Sequence, residues 1–293
     1  MLVSAPALAL ALENAALEAR YAIPATGADA RRTDTKRRRQ RVDRLRKLQA
    51  QYAPLWGGIG AVAEAFGLAF AECGDIDTAI DWYRRANRAD DGSASMKAAE
   101  QLGNLLARRG AARGDAEEIG VALTQLRPLA EIQPTVERHN LLGSAYKRLA
   151  MVQSGEAALS ALQSSQEHYA QAEALALDTA ADDSFYPIMN AMAVQLRLAA
   201  LRRQPKAALD AARVAAARVS LQAKLSQSPD FWSVAGLQEL SMLDALAQGR
   251  LAAARPAIEA GFADLAQRAP ARRMWSSVYE QALFVMAPYA EQA

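Results

Sequence analysis

In "FGLAFAECGDIDTAIDWYRRA", residues 66 to 86, small and apolar side chains recur three or four positions apart on both sides of one break, Gly74-Asp75. That period is helical, and the break predicts two antiparallel helices joined by a tight turn. Upstream, Val42, Leu45, Leu48, Tyr52 and Leu55 fall near one face of a helix predicted over residues 36–55. Between that helix and an apolar N-terminal segment, "IPATGADARRTDT" reads as a flexible linker. The expected division is 1–35 as N-terminal helical segment and linker, 56–293 as a helical array, and 36–55 as a basic amphipathic helix between them.

The hairpin at 66–86 fits the tetratricopeptide template over Phe66, Gly67, Phe70, Ala79, Tyr83 and Ala86. Gly and Ala let two backbones approach where the helices cross, and the aromatics fill the flanking space. A second unit runs from Leu102, Gly103 and Leu106 to Ala122, Leu126 and Pro134, with a turn, "RRGAARGDAEE", expected to be seven residues longer than usual. The third uses Leu142, Gly143 and Tyr146, then Tyr169 and Ala172 after about ten inserted residues. In the fourth, Asn190 stands where Gly is expected and Pro187 must lie in the first turn. A fifth turns at Gly249-Arg250 and continues through Ala254, Ile258 and Gly261, and "MWSSVYEQALFVMAPYA" supplies a terminal helix expected to cap the stack. The fold class is all-α, an α-solenoid of tetratricopeptide-like helical hairpins.

Composition agrees: 52% of residues are hydrophobic but only 6% aromatic, much of the apolar share being alanine, which favours close-packed helices. The N-terminal "MLVSAPALALALENAALEAR" has no basic start and is interrupted by Glu13 and Glu18, which argues against an export signal. One cysteine, Cys73, fits a reducing, cytoplasmic location, and because no segment approaches roughly 18 uninterrupted apolar residues, no membrane association is expected. The net charge of +2 hides an asymmetry, since residues 31–47 hold ten Lys or Arg against two Asp, leaving the remainder at −6.

The phrases "ERHNLLGSAYKRLA", "HYAQAEALA", "DDSFYPIMNAMA", "PDFWSVAGLQEL" and "MWSSVYEQALFVMAPY" resemble a family of bacterial tetratricopeptide proteins related to the TRAFs-binding, sensory region of apoptosis-signal-regulating kinases. The resemblance spans roughly residues 55 to 290. It implies a regulatory or sensing module that accompanies effectors such as caspase-like proteases or TIR domains in bacterial conflict and signalling systems. No effector domain is legible, so it implies a sensor or adaptor working with a separately encoded protease-, TIR- or nuclease-like effector, with a nucleotide-derived signal as the associated ligand.

No catalytic motif, P-loop or dinucleotide fingerprint occurs. Cys73 falls in the first unit while His139 and His168 fall in the third, and neither His has metal-ligand spacing with Cys, so no catalytic or metal residue and no cofactor is expected. His139 is expected to pack and His168 to lie at the surface. The expectation is a protein without enzymatic activity.

In a tetratricopeptide stack the first helix of each pair lines the concave groove. The template's groove-facing positions map to Lys97, Glu100, Asn104, Ala107 and Arg108 in unit two, and to Glu137, Asn140, Ser144, Lys147 and Arg148 in unit three. With Tyr186 and Asn190 from unit four, the residues Asn104, Arg108, Asn140, Ser144, Lys147 and Arg148 would offer donors and positive charge to a phosphate or carboxylate. Trp232 or Trp275 could stack on a base. The alternative is a solvated face on which Glu100 and Glu137 neutralise the cations. Glu64 with Leu68, and Glu100 with Asn104, depart from the carboxylate clamp of chaperone-binding repeats. The basic segment, through Arg37, Arg38, Arg39, Arg41 and Arg44, suits either an acidic protein partner or nucleic acid. The absence of interleaved aromatics favours protein.

Overall fold

The computed structural model describes residues 3–22, 29–179, 184–202, 209–268 and 272–290. Among these are thirteen α-helices and no strand. The helices are α1 (Ala5–Arg20), α2 (Ala30–Trp56), α3 (Gly60–Glu72), α4 (Ile76–Arg88), α5 (Met96–Arg113), α6 (Ala116–Ile132), α7 (Val136–Val152), α8 (Gly155–Asp178), α9 (Phe185–Leu201), α10 (Ala211–Gln227), α11 (Phe231–Ala247), α12 (Leu251–Arg268) and α13 (Arg272–Ala290). Four expected hairpins are α3–α4, α7–α8, α9–α10 and α11–α12, and the expected second unit corresponds in sequence to α5 and α6. The chain divides into two compact units within α5, residues 1–109 with 270–273 and residues 110–269 with 274–293.

In the first unit α1 packs on α3 through Leu8, Leu12 and Ala16. The α2 helix begins at Ala30, so the whole basic run 31–47 is helical; residues 23–28 of the expected linker lie outside the described residues. Of its expected stripe, Leu45 and Tyr52 are buried and Val42 and Leu48 half-buried, whereas Leu55, the penultimate residue of the helix, is 54% exposed.

Two of the turns follow one chemical rule. At the end of α3, Gly74 adopts φ +76° and donates to the Ala71 carbonyl, while Asp75 N–H reaches the Phe70 carbonyl. Asp75 then caps α4 by accepting from Thr78 N–H. Gly114-Asp115 repeats this arrangement between α5 and α6, with Asp115 accepting from Glu118 N–H. One residue thus closes a helix in a left-handed conformation and the next opens its partner.

Gly114-Asp115 also corrects the expected long turn. The extra residues "RRGAAR" extend α5 to Arg113, and Gly110 is a contact glycine, because a Cβ there would stand 2.8 Å from Ile119. In the third hairpin the added length is helical as well, since α7 ends at Val152 and α8 begins at Gly155. The close approaches expected of Gly67 and Gly143 are present: a Cβ would meet the Tyr83 ring at 2.9 Å and the Tyr169 ring at 3.0 Å. In the second unit, Tyr169, Phe185, Met192, Leu196, Leu221, Leu243 and Phe284 share one core.

Candidate ligand-binding face

Thr135 caps α7 by accepting from Arg138 N–H, and the helix then presents two faces. One carries Gly143 against Tyr169; the other carries Asn140, Ser144, Lys147 and Arg148, which lie within a narrow arc at helical spacing. Both cations are buried, each 6% exposed. An ammonium and a guanidinium removed from water need partners, and these come from α9 and α13.

The Lys147 Nζ donates to Gln281 Oε1 at 2.6 Å and to Asn190 Oδ1 at 3.3 Å, and lies 5.4 Å from the Phe284 ring centroid. Asn190 donates from Nδ2 to the Tyr186 carbonyl at 3.0 Å, which turns its oxygen toward the ammonium. Thus Asn190, read from sequence as a degenerate glycine position, bridges α9 to α7. Arg148 forms an ion pair with Glu280, Nη2 donating to Oε2 at 3.2 Å and Nε standing 2.8 Å from Oε1 without hydrogen-bond alignment, while Nη1 donates to Ser144 Oγ at 2.5 Å. On α9, Arg197 donates to the Phe284 carbonyl at 3.3 Å.

The α13 helix therefore does more than cap an end. Its Glu280, Gln281 and Phe284 reach α7 and α9, and its Val278 packs with Ala235 of α11. The carboxylate at Arg148 is Glu280, whereas the alternative reading of the face assigned Glu100 and Glu137 to the cations. Glu137 is exposed and Glu100 buried. Half-buried Glu239 of α11 joins the same electrostatic environment: burial pushes its carboxyl up to about 7, against the opposing pull of Lys147. Burial likewise raises the Tyr169 phenol, with Tyr186 adding to the effect and Arg148 opposing it.

Sequence reasoning missed Glu280, Gln281, Phe284 and Glu239. Their signal was the terminal helix, where "YEQALF" sets an acid and an amide among apolar residues that must be buried. Asn104 and Arg108 are half-buried on the part of α5 belonging to the first unit. Tyr186 is 40% exposed. Phe231 meets both candidate stacking rings edge-on, Trp232 at 5.1 Å and Trp275 at 5.4 Å between centroids. Glu64, the residue at the first clamp position, accepts from Ser95 N–H at 2.7 Å and from its hydroxyl at 2.6 Å, which ties α3 to the start of α5.

The histidines occupy a separate place. His139 is buried and His168 half-buried, where a surface position was expected. Their Nδ1 atoms stand 3.2 Å apart, so one ring must donate and the other accept. Burial lowers both pKa values, and the neighbouring His139 lowers that of His168 further. Among the described residues, no three His, Cys, Asp or Glu side chains gather as a metal site. The Cys73 thiol is buried and pushed up to about 11, chiefly by desolvation, which suppresses the nucleophilic thiolate.

Along α2, Arg38 donates to the carbonyls of Cys73 at 2.9 Å and Gly74 at 3.0 Å, and Arg46 pairs with Asp75 at 3.1 Å. These contacts dock α2 on the end of α3. Arg41 is half-buried, while Arg37, Arg39 and Arg44 are solvent-exposed. No helix among the described residues is long and apolar enough to cross a membrane.

Among curated proteins, no sequence matches the chain. Residues 75–196 match the family model described as Tetratricopeptide Repeats-Sensor. The match runs from the cap of α4 into α9 and includes Asn104, Arg108, Asn140, Ser144, Lys147, Arg148, Tyr186 and Asn190, while Trp232, Trp275, Glu280 and Gln281 lie beyond it. Over this stretch the chain is similar to a tetratricopeptide-like sensor domain.

Proposed function

We propose that this protein is a cytoplasmic, non-enzymatic sensor or adaptor. Its α7–α9 face recognises a small anionic ligand, a nucleotide-derived one included, or an acidic partner peptide, and thereby regulates a separate effector in a bacterial conflict or stress-signalling system. The observation that carries this reading is the convergence of Lys147, Arg148, Ser144 and Asn190 on one face, where Arg148 already pairs with a carboxylate. A pair of cations so placed suits carboxylate or phosphate, and similarity to a sensor family supports a signalling use. Nucleic-acid binding through the exposed arginines of α2 is the competing reading.

Mass spectrometry of small molecules released from the purified protein, together with pull-down of bound proteins, tests the proposal. The expected result is an anionic molecule or an acidic protein that is lost on Arg148→Ala and retained on Arg39→Ala. Retention of nucleic acid, lost when Arg37, Arg39 and Arg44 are replaced together, would instead establish the competing reading.

A further inference from the structure

Between α10 and α11 lies an open cleft of about 340 Å³ that shares no residue with the α7–α9 face. Its floor is firm. Ala217 and Leu221, each 0% exposed, anchor α10 in the core of the second unit, and Leu209 and Val214, which line the cleft, pack against the same core. Val219 carries the apolar lining out to the rim, where it is 65% exposed. The volume falls at the small end of ordinary ligand sites, and such sites combine apolar walls with a few placed polar groups.

The polar group placed here is Arg218, half-buried, for which the described residues supply neither a hydrogen-bond acceptor nor a carboxylate. The one acid lining the cleft is engaged elsewhere: Asp244 accepts from Arg250 Nη2 at 2.8 Å and from Gln248 Nε2 at 2.6 Å, one bond to each oxygen. The adjoining sequence is also poor in acids, since residues 184–229 hold seven Lys or Arg against Asp210 alone. Asp210 caps α10, accepting from Ala212 N–H at 2.8 Å. By contrast, Arg213 on the same helix is paired with Glu173.

A guanidinium drawn partly out of water offers a planar set of donors that matches a planar carboxylate. One cation balances one negative charge, which favours a carboxylate over a phosphate dianion. An inorganic anion would leave the apolar walls wet, and a neutral hydrocarbon would leave the guanidinium unused. We infer that the α10–α11 cleft binds a small aliphatic carboxylate, its head group held by Arg218 and its hydrocarbon chain laid against Leu209, Val214 and Val219. The site lies beyond residues 75–196 and stands or falls separately from the α7–α9 reading.

The test titrates sodium octanoate into the full chain carrying methyl-labelled valine, read by nuclear magnetic resonance, with circular dichroism verifying the fold of each variant. Saturable shifts of the Val214 and Val219 methyl signals are expected. Arg218→Met, which keeps an apolar stem, is expected to weaken octanoate at least about tenfold, the size of one charge-assisted contact. Octan-1-ol should bind the unaltered chain more weakly than octanoate by a similar factor, and the two chains equally. Arg148→Ala is expected to leave octanoate binding unchanged, which separates this site from the α7–α9 face. Absence of shifts at Val214 and Val219, or octanoate binding that survives Arg218→Met in full, overturns the inference. So does tighter binding of the free-acid peptide acetyl-Ala-Ala-Leu than of octanoate, which would give the cleft to a protein C-terminus.

Discussion

Lys147 and Gln281, 134 positions apart in sequence, meet at 2.6 Å between ammonium and amide oxygen. The contact joins the third hairpin to the last helix, and it converts an apparently open cationic groove into an occupied one. Buried cations hold the terminal helix in that seat, because leaving either of them without a partner away from water is costly.

The Arg148–Glu280 pair is the main polar clamp. Replacing either partner by Ala removes the ion pair from a largely buried site and is expected to cost about 3 kcal/mol, while the double replacement costs less than the sum of the two. Urea unfolding of all four proteins measures the coupling, expected at about 1–3 kcal/mol for groups in contact. Strict additivity would deny the clamp.

Glycines in α6 and α7 separate propensity from packing. Gly143→Ala forces a methyl to 3.0 Å from the Tyr169 ring and is expected to destabilise by about 1–3 kcal/mol. Gly120→Ala, with nothing within 4 Å of its Cβ position, should instead stabilise by about 0.5–1 kcal/mol. Thermal unfolding of the pair of variants gives the two signs.

Acid should loosen the second unit at the histidine pair. Both folded-state pKa values lie below the ordinary 6.5, so the unfolded chain takes up protons first as pH falls. The stability from neutral imidazoles is complete above about 6.5 and is lost as pH drops through the lowered values. A His139→Phe, His168→Phe chain is expected to show a flatter stability profile between pH 7 and 5 in urea titrations.

Glu239 has the opposite slope. Its folded carboxyl keeps the proton up to about 7, whereas the ordinary value is 4.5, so stability falls as pH rises between these values and levels off above them. Glu239→Gln removes this loss and is expected to gain about 1–3 kcal/mol at pH 8 relative to pH 5. An unchanged pH profile in this variant would show that the carboxyl titrates normally.

On α2 the arginines divide by contact. Arg38→Ala forfeits donors to the Cys73 and Gly74 carbonyls and should cost about 1 kcal/mol in thermal unfolding. Arg39→Ala, at an exposed position, should leave stability within about 0.5 kcal/mol.

Sequence by itself determined the hairpins. Gly67 with Tyr83 and Gly143 with Tyr169 are local pairs whose spacing imposes close helix crossing, and Gly-Asp at 74–75 dictates a left-handed stop followed by a cap, whereas the turn expected around 114–115 was seven residues too long. It also placed Lys147, Arg148, Ser144 and Asn140 on one face of α7, because helical period alone decides that. Gly110 misled, since a glycine suited to a turn is equally suited to a close contact, and only the partner Ile119 distinguishes them.

Tertiary structure decided what faces those cations. The carboxylate of Glu280 and the amide of Gln281 reach them through a fold that returns the terminal helix to α7, and no local pattern encodes a pairing across more than 130 residues. Side-chain charge is a property of the sequence; whether that charge meets water, a ligand or the chain's own helix is settled by packing alone.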